Sequence, residues 1–562
     1  MTSSASSSSL FDADVLIVGG GPVGLTLATD LAQRGHRVAV AELRRYGEPP
    51  SVKCNHVSAR TMEQLRRLGV AARLRDAGLP PDYPNDVVFR TRVTGTELTR
   101  IPIPGRSTRY TDTAGPDGWW PTPEPPHRIN QIYLEPILLD HAAAQPGVQL
   151  FNRTQVAEFV QDEDGVTATL LDLDSGATRP LRARYLVGCD GGSSGVRKAM
   201  GAKLEGTPVI QRVQSTFIRA PGLKALLTDK DAWCCYAVNP ERCGTVFAID
   251  GQQDWLVHNH LHPHEADFDA VDRDWSIRAI LGVGPDFHYE VISREDWVGR
   301  RLVADRLRNG RVFIAGDAAH LWVPYAGYGM NAGIADAVNL AWLLSARLHG
   351  WGGEAILDAY QAERQPITEQ VSHFAMDHAQ KMIRARGAVP PNIEAQGPEA
   401  DAERARVGRE AYDLNVQQFC CAGLNFGYFY AGSPLIVDDG AQPPAYSMGD
   451  FTPSTVPGCR APHFWLADGR SLYDLLGTGY TLLRLDPAVD VAPLQAAANA
   501  LGMPLTVVDP VAAGPLPAAY AHALLLVRTD QHVAWRGDRL PADPGALLAQ
   551  LAGRSAQTVA AG

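Results

Sequence analysis

From Asp14 to Glu42 the chain reads D-V-L-I-V-G-G-G-P-V-G-L-T-L-A-T-D-L-A-Q-R-G-H-R-V-A-V-A-E, a segment that admits few folds. Val15 to Val18 form an unbroken apolar run, as expected of a central parallel strand covered on both faces. Gly19, Gly21 and Gly24 follow with G-x-G-x-x-G spacing, which serves a tight turn, close backbone approach to a pyrophosphate and close helix packing. Pro22 suits the first turn of a helix, and Leu25, Ala28, Leu31 and Ala32 recur at helical spacing. Gly35 can supply a left-handed stop, Arg37 to Ala41 read as a second strand, and Glu42 at its end can accept hydrogen bonds from ribose hydroxyls. Strand, turn, helix and acidic terminus together predict a dinucleotide-binding domain. This segment alone does not separate a flavin from a nicotinamide dinucleotide.

A chain of 562 residues is expected to hold several structural units. Its net charge of −11, with no basic cluster interleaved with aromatics, argues against a nucleic-acid groove. No apolar run approaches the roughly 20 residues of a membrane span, so no membrane association is expected. Met1 to Ser9 is mostly Ser and Ala and reads as a disordered tail rather than a signal peptide. The eight cysteines contain no C-x-x-C and no metal-like spacing; they are expected to be reduced thiols of a cytoplasmic protein, without disulfide exchange.

A second block, Arg311 to Trp342, reads R-V-F-I-A-G-D-A-A-H-L-W-V-P-Y-A-G-Y-G-M-N-A-G-I-A-D-A-V-N-L-A-W. A buried strand runs into Gly316 and Asp317, and a glycine-rich loop leads into a helix beginning near Asn331. The Asp317 carboxylate suits a polyol, the loop permits close approach to a flat ring, and the helix N-terminus would favour negative charge in front of it. A third block, Tyr185 to Arg197, reads Y-L-V-G-C-D-G-G-S-S-G-V-R.

With these three blocks the chain resembles the class A flavoprotein aromatic hydroxylases, the family of para-hydroxybenzoate hydroxylase and phenol hydroxylase. That family's pattern is G-D-A-A-H, then P-x-x-G-x-G-x-N, then D-A-x-N-L. The resemblance covers roughly residues 12 to 380. It implies FAD as cofactor, held by Gly19, Gly21, Pro22, Gly24, Glu42, Lys53, Arg60, Gln131, Val156, Asp190, Gly191, Asp317, Pro324, Gly329, Met330 and Asn331. Lys53 stands where the family usually has Arg, and Val323 and Ala326 replace a common Pro and Gly. The resemblance further implies reduction by NADPH or NADH, and oxygen transfer from O2 through a flavin C4a-hydroperoxide to a phenolic ring, usually ortho to its hydroxyl. Asn55, Trp233, Tyr236 and Tyr325 are the candidate substrate residues. His56 is the candidate catalytic base, with a bound water or a tyrosine as rivals.

The expected fold class is α/β: a Rossmann-like FAD-binding domain at 12–200 and 291–385, interleaved with an antiparallel-sheet substrate domain at 201–290 to which 80–125 contributes. A tail at 1–11 precedes them and a helical connector at 386–445 follows. Residues 446–562 resemble the thioredoxin-like C-terminal domain of the longer phenol hydroxylase relatives. Their lone Cys459 leaves no thiol partner there. A homodimer is expected. The alternating His258, His260, His262 and His264 read as a solvated strand end rather than a metal site, since Pro263 interrupts the strand. His320 is expected to orient its loop by a hydrogen bond. Baeyer–Villiger or epoxidation chemistry on the same fold, or a flavin-binding sensor, remain alternatives. A halogenase is disfavoured because Trp119, Trp120 and Pro121 do not give W-x-W-x-I-P.

Overall fold

The computed structural model describes residues 10–53, 55–118, 120–227 and 230–554. Most of the expected tail, and Cys54 and Trp119, lie outside the described residues. Phe11 departs from the tail reading: it is buried, with the guanidinium groups of Arg182 and Arg184 at 5.4 and 4.7 Å from its ring.

The strand Ala13–Val18 is flanked in parallel by Val38–Ala41 and Thr178–Gly188, with Val148–Phe151 and Val312–Ile314 continuing the parallel register outward. All four residues of Val38–Ala41 are buried, as befits a strand covered on both faces. The helices Pro22–Gln33 and Tyr328–Leu348 pack on this sheet and on each other.

A nine-stranded sheet forms the second layer, running from His320–Trp322 through Trp297–Ala304, Leu204–Arg219, Asp254–His260, Gly244–Ala248, Cys234–Ala237 and Val87–Arg90 to Glu97–Ile101, with Glu290–Arg294 also paired to Leu204–Arg219. Its pairings are antiparallel except for Cys234–Ala237 beside Val87–Arg90. The sheet does not stop at 290 as the sequence reading has it. Trp297–Ala304 pairs along the long strand Leu204–Arg219, an association between segments too far apart for local patterning to register.

Near the C-terminus, Tyr480–Arg484 pairs in parallel with Leu505–Val508 across the helix Ala492–Leu501 and antiparallel with Leu524–Arg528, which pairs antiparallel with Val533–Gly537. This β-α-β unit, followed by a hairpin and the closing helix Pro544–Leu551, is the thioredoxin-like arrangement. Among the described residues no helix is long and apolar enough to cross a membrane.

The C-terminal unit docks through buried charge. Arg528 is fully buried and donates to Glu363 at 2.8 Å and to Asp530. Arg460 pairs with Glu63, and Arg60 donates to Glu63, to the Tyr428 hydroxyl and to the Asp530 carbonyl. Three arginines thus meet Glu63, Glu363 and Asp530, and the seam is neutral as a whole. Arg60 is thereby corrected. Its guanidinium is spent on the seam, because the first turn of its helix faces the C-terminal unit and not the cofactor cleft. Glu363→Gln removes one charge and leaves Arg528 under-compensated in low dielectric, a loss of about 3–5 kcal/mol. Urea unfolding of both proteins measures it, and a cost below about 1 kcal/mol would show the seam to be energetically idle.

Candidate active site

The turn after the first strand is built for backbone approach. Gly19 has φ +105°, and a Cβ there would overlap the Cys189 carbonyl; a Cβ on Gly24 would overlap the Gly19 carbonyl. Gly21 differs. It is the N-cap of the helix beginning at Pro22, it has no side-chain cap, and a Cβ there would meet nothing within 4 Å. Uncapped first-turn amides in front of open space fit a diphosphate. Glu42 accepts from the Gly20 amide at 2.6 Å and from the Arg44 amide at 2.9 Å. Its carboxyl is held below the usual range: burial opposes this, and the hydrogen bonds from Arg44 and Gly20 outweigh it. Val156 follows Thr154, whose amide donates to the Glu42 carbonyl, so it stands beside the same end of the sheet.

Gly191 has φ +76° with open space beside it, while Asp190 accepts from the Ser194 hydroxyl and from the Val196 amide at 3.1 Å. The Asp190 carboxylate therefore braces its own turn against the Gly19 backbone. Asp317 projects into the cleft at the end of the strand Val312–Ile314, and no described residue donates to its carboxylate. Protein packed around it raises its pKa, with His320 and Lys53 pulling the other way. Lys53 lies 3.6 Å from Glu295, largely exposed. A hydrogen-bond-hungry carboxylate in a cleft fits a polyol, so the residues present suit FAD.

The loop after Asp317 is fixed from behind. His320 makes the orienting bond expected of it, to Asp336 at 2.7 Å, and Asp336 also receives Arg364 at 2.8 Å and the Gly316 amide at 3.1 Å. Pro324 opens a short 3-10 turn, and Gly327 caps the helix Tyr328–Leu348 with φ 62°, without a side-chain cap. Gly329 is open on its Cβ side except for Trp322 at 3.9 Å. Met330 packs into the apolar cluster around Leu25 and Met62. Asn331 accepts from the Ser58 amide at 2.9 Å and donates to the carbonyls of His56 and Gly327, pinning two loops together. Gln131 donates its amide to the Lys53 carbonyl at 3.2 Å and its side chain to Glu135. Asn55 accepts from Asn130.

Between this loop and the nine-stranded sheet lies a run of rings. Phe89 stacks on Tyr236 at 4.7 Å, Tyr236 meets Phe419 at 6.5 Å, Phe419 meets Trp233 at 6.2 Å, and Trp233 meets Phe247 at 5.3 Å. Phe247 continues to His258 at 5.5 Å and His258 to Trp297 at 5.9 Å. Of the sequence candidates, Trp233 and Tyr236 are therefore neighbours in one cluster. Tyr325 sits at its far side, its hydroxyl 3.3 Å from Arg386 and 3.4 Å from Gln211.

Two expectations change here. His258 and His260 do not form a solvated strand end. The strand stops at His260 before Pro263 acts, and both rings are enclosed by the sheet face, His260 bonding Thr245 at 3.0 Å. His56 is buried, accepts from Arg128 at Nδ1, and has its pKa held well below the usual value by burial and then by Arg128, Arg109 and His127. It stays neutral with one nitrogen occupied by a cation, which makes it a poor proton acceptor and a good anchor.

Residue-by-residue reading missed Arg128, Phe89 and Phe419. Arg128 sits three residues before Gln131 in H-R-I-N-Q, close to a residue that the resemblance places at the flavin. The signal that reveals it is the pairing of Val57 with His127, which aligns 53–57 with 127–131.

Residues 12–375 match the model for an FAD binding domain, and 454–555 match that for the C-terminal domain of aromatic-ring hydroxylases. The chain is 32% identical to the tetracenomycin B2 monooxygenase-dioxygenase of Streptomyces olivaceus over 95% of its own length and 97% of that protein's. It is 28% identical to the phenol 2-monooxygenase of Pseudomonas sp. (strain EST1001), over 97% and 93%. Among solved structures, the rebeccamycin biosynthetic enzyme RebC with reduced flavin superposes with a TM-score of 0.87 at 35% identity, covering 97% of this chain and 99% of that one. Aklavinone-11 hydroxylase with FAD and aklavinone gives 0.78 at 29% identity, over 97% and 99%. The first match covers more than half of the chain and the second most of its C-terminal unit, and this chain belongs to the FAD-dependent aromatic-ring hydroxylases.

Proposed function

We propose that the chain hydroxylates a phenolic ring, ortho to its hydroxyl, with NADPH or NADH as transient reductant and O2 as oxidant, and that the ring cluster around Trp233, Tyr236 and Phe419 receives the substrate. The observation that carries this is continuity. A Cβ on Gly327 would stand 3.0 Å from His56, His56 bonds Arg128, and Arg128 lies 4.4 Å over Trp233, so the cofactor loop and the ring cluster are separated by two side chains. The substrates named for its relatives run from phenol to polyketides, which supports an aromatic occupant of this cluster.

FAD, when bound, stores the electrons and activates oxygen. The chain's own residues do the rest. The helix N-terminus behind Gly21 would hold the diphosphate, Glu42 would accept from the ribose, and Asp317 would accept from the polyol chain. The N-terminus of Tyr328–Leu348, which has no side-chain cap, would favour negative charge on a bound flavin ring. Asn331 and Asn130 hold the loops that border the ring, and the aromatic cluster orients substrate and excludes water. His56 positions Arg128 and does not remove the phenol proton. Among the described residues the cysteines are free, and burial raises the pKa of each of them, which supports work in a reducing cytoplasm. A homodimer completes the proposal and is checked by light scattering.

The test is a visible spectrum of the purified protein, then stopped-flow oxidation of NADPH and NADH under oxygen with a panel of phenols. A yellow protein whose oxidation rate rises with one phenol, and whose product has gained one oxygen on the ring, is the expected result. A lactone or epoxide as product would replace hydroxylation by another oxygenase reaction, and a flavin that no phenol stimulates would leave a sensor.

A further inference from the structure

Arg128 is a buried cation with an open hand. It is 5% exposed; Nη1 contacts His56, and Nη2 has no hydrogen-bond partner among the described residues. Among the described residues no carboxylate lies within ion-pair distance of it. The carboxylate whose charge acts on it most, Asp117, is taken by Arg109, whose own Nε and Nη2 are also buried and without a hydrogen-bond partner among the described residues. Two guanidinium groups therefore share one carboxylate, and His56 between them stays neutral. An enclosed positive charge without a counter-ion costs several kcal/mol, and arginine does not escape it by losing its proton. Such a cost is retained where a ligand cancels it. The guanidinium plane lies over Trp233 at 4.4 Å and near Phe419 at 6.0 Å, inside the cluster assigned above to the aromatic substrate.

We propose that Arg128 is a specificity-determining residue whose free Nη2 receives a carboxylate carried by the aromatic substrate, so that the enzyme selects an aromatic acid. This rests on the placement of the substrate in that cluster. A carboxylate is favoured over a neutral phenol because it arrives already ionised and matches the geometry of a guanidinium group. His56 then acts as a positioning residue, fixing the guanidinium through Nη1 and leaving Nη2 for the ligand.

The holoenzyme is titrated with 6-hydroxy-2-naphthoate and with the uncharged 6-hydroxy-2-naphthamide, following the perturbation of the flavin absorbance, which needs no turnover. The wild type is expected to bind the acid about tenfold to hundredfold more tightly than the amide, the weight of one charge-assisted hydrogen bond. Arg128→Met is expected to lose that preference while its amide affinity changes less than about threefold, and Arg128→Lys to recover part of it. The melting temperature of Arg128→Met without ligand is expected to equal or exceed that of the wild type, since the variant drops an uncompensated charge. A wild type that binds neither probe, or both alike, overturns the proposal. So does an Arg128→Met protein that loses both probes equally or melts well below the wild type, which marks Arg128 as structural. If acid selectivity resides in Arg128 but the flavin never oxygenates any bound aromatic, the anion site stands and the hydroxylase reading fails instead.

Discussion

Gly21→Ala is expected to leave the protein folded and to lower its affinity for FAD about a hundredfold. Gly21 has φ −80° and ψ −177°, extended backbone that alanine adopts freely, and a Cβ there meets no protein atom within 4 Å. The added methyl stands only in the path of a group approaching the helix N-terminus. Pushing a diphosphate back by a methyl radius forfeits one or two charge-assisted hydrogen bonds of about 1.5–3 kcal/mol each. Gly24→Ala provides the contrast, because its methyl would overlap the Gly19 carbonyl and neither backbone can yield. That variant should lose FAD and stability together. The ratio of flavin to protein absorbance after desalting, alongside a urea titration of each apoprotein, separates the two cases. A Gly21→Ala protein that keeps its flavin at wild-type affinity would place the diphosphate elsewhere.

The second large effect is acid lability. His36, His258, His378 and His532 each have a pKa lowered by burial to about 4, and His127 and His463 to about 3. An unfolded histidine titrates near 6.5, so below that pH the unfolded chain binds protons that the folded one refuses. The sign follows: stability is fully present above about pH 6.5 and falls as pH drops from there towards the folded values. At pH 4.5 each of these groups costs about 2 kcal/mol, and together they rival the whole stability of a typical protein. Unfolding is therefore expected to set in near pH 5, with steep proton uptake. Thermal melts at pH 7.5, 6.0 and 5.0 test it, and a melting temperature flat across that range would mean these rings find solvent or partners as they protonate.

Much of the cofactor half was readable from the chain alone. The turn at Gly19, Gly21 and Gly24 is encoded by residues within six positions of one another, and both the positive φ of Gly19 and the overlap of a Gly24 side chain with the Gly19 carbonyl are local. The same holds for Asp317 at the end of a three-residue buried strand, for Gly327 in a left-handed cap, and for His320, whose partner Asp336 lies on the helix that follows. The substrate half resisted. The His258 series looked like a polar strand end because alternation says which residues share a face, not what that face is packed against. Arg60 is placed at the cofactor by family resemblance alone, and nothing in its sequence neighbourhood reveals Asp530 and Tyr428 waiting across the fold.

The sequence by itself determined the dinucleotide fold, because that depends on backbone conformations and short spacings that residue types impose directly; the cofactor and the class of reaction came from the resemblance of three separated blocks to a known family. The tertiary structure alone decided where the nine-stranded sheet ends, which arginines are spent on the neutral seam, and that Arg128, bonded to His56 and over Trp233, has no carboxylate partner among the described residues. Those outcomes depend on pairings between residues tens to hundreds of positions apart, and a buried charge has no energetic meaning until the chain path has chosen its neighbours.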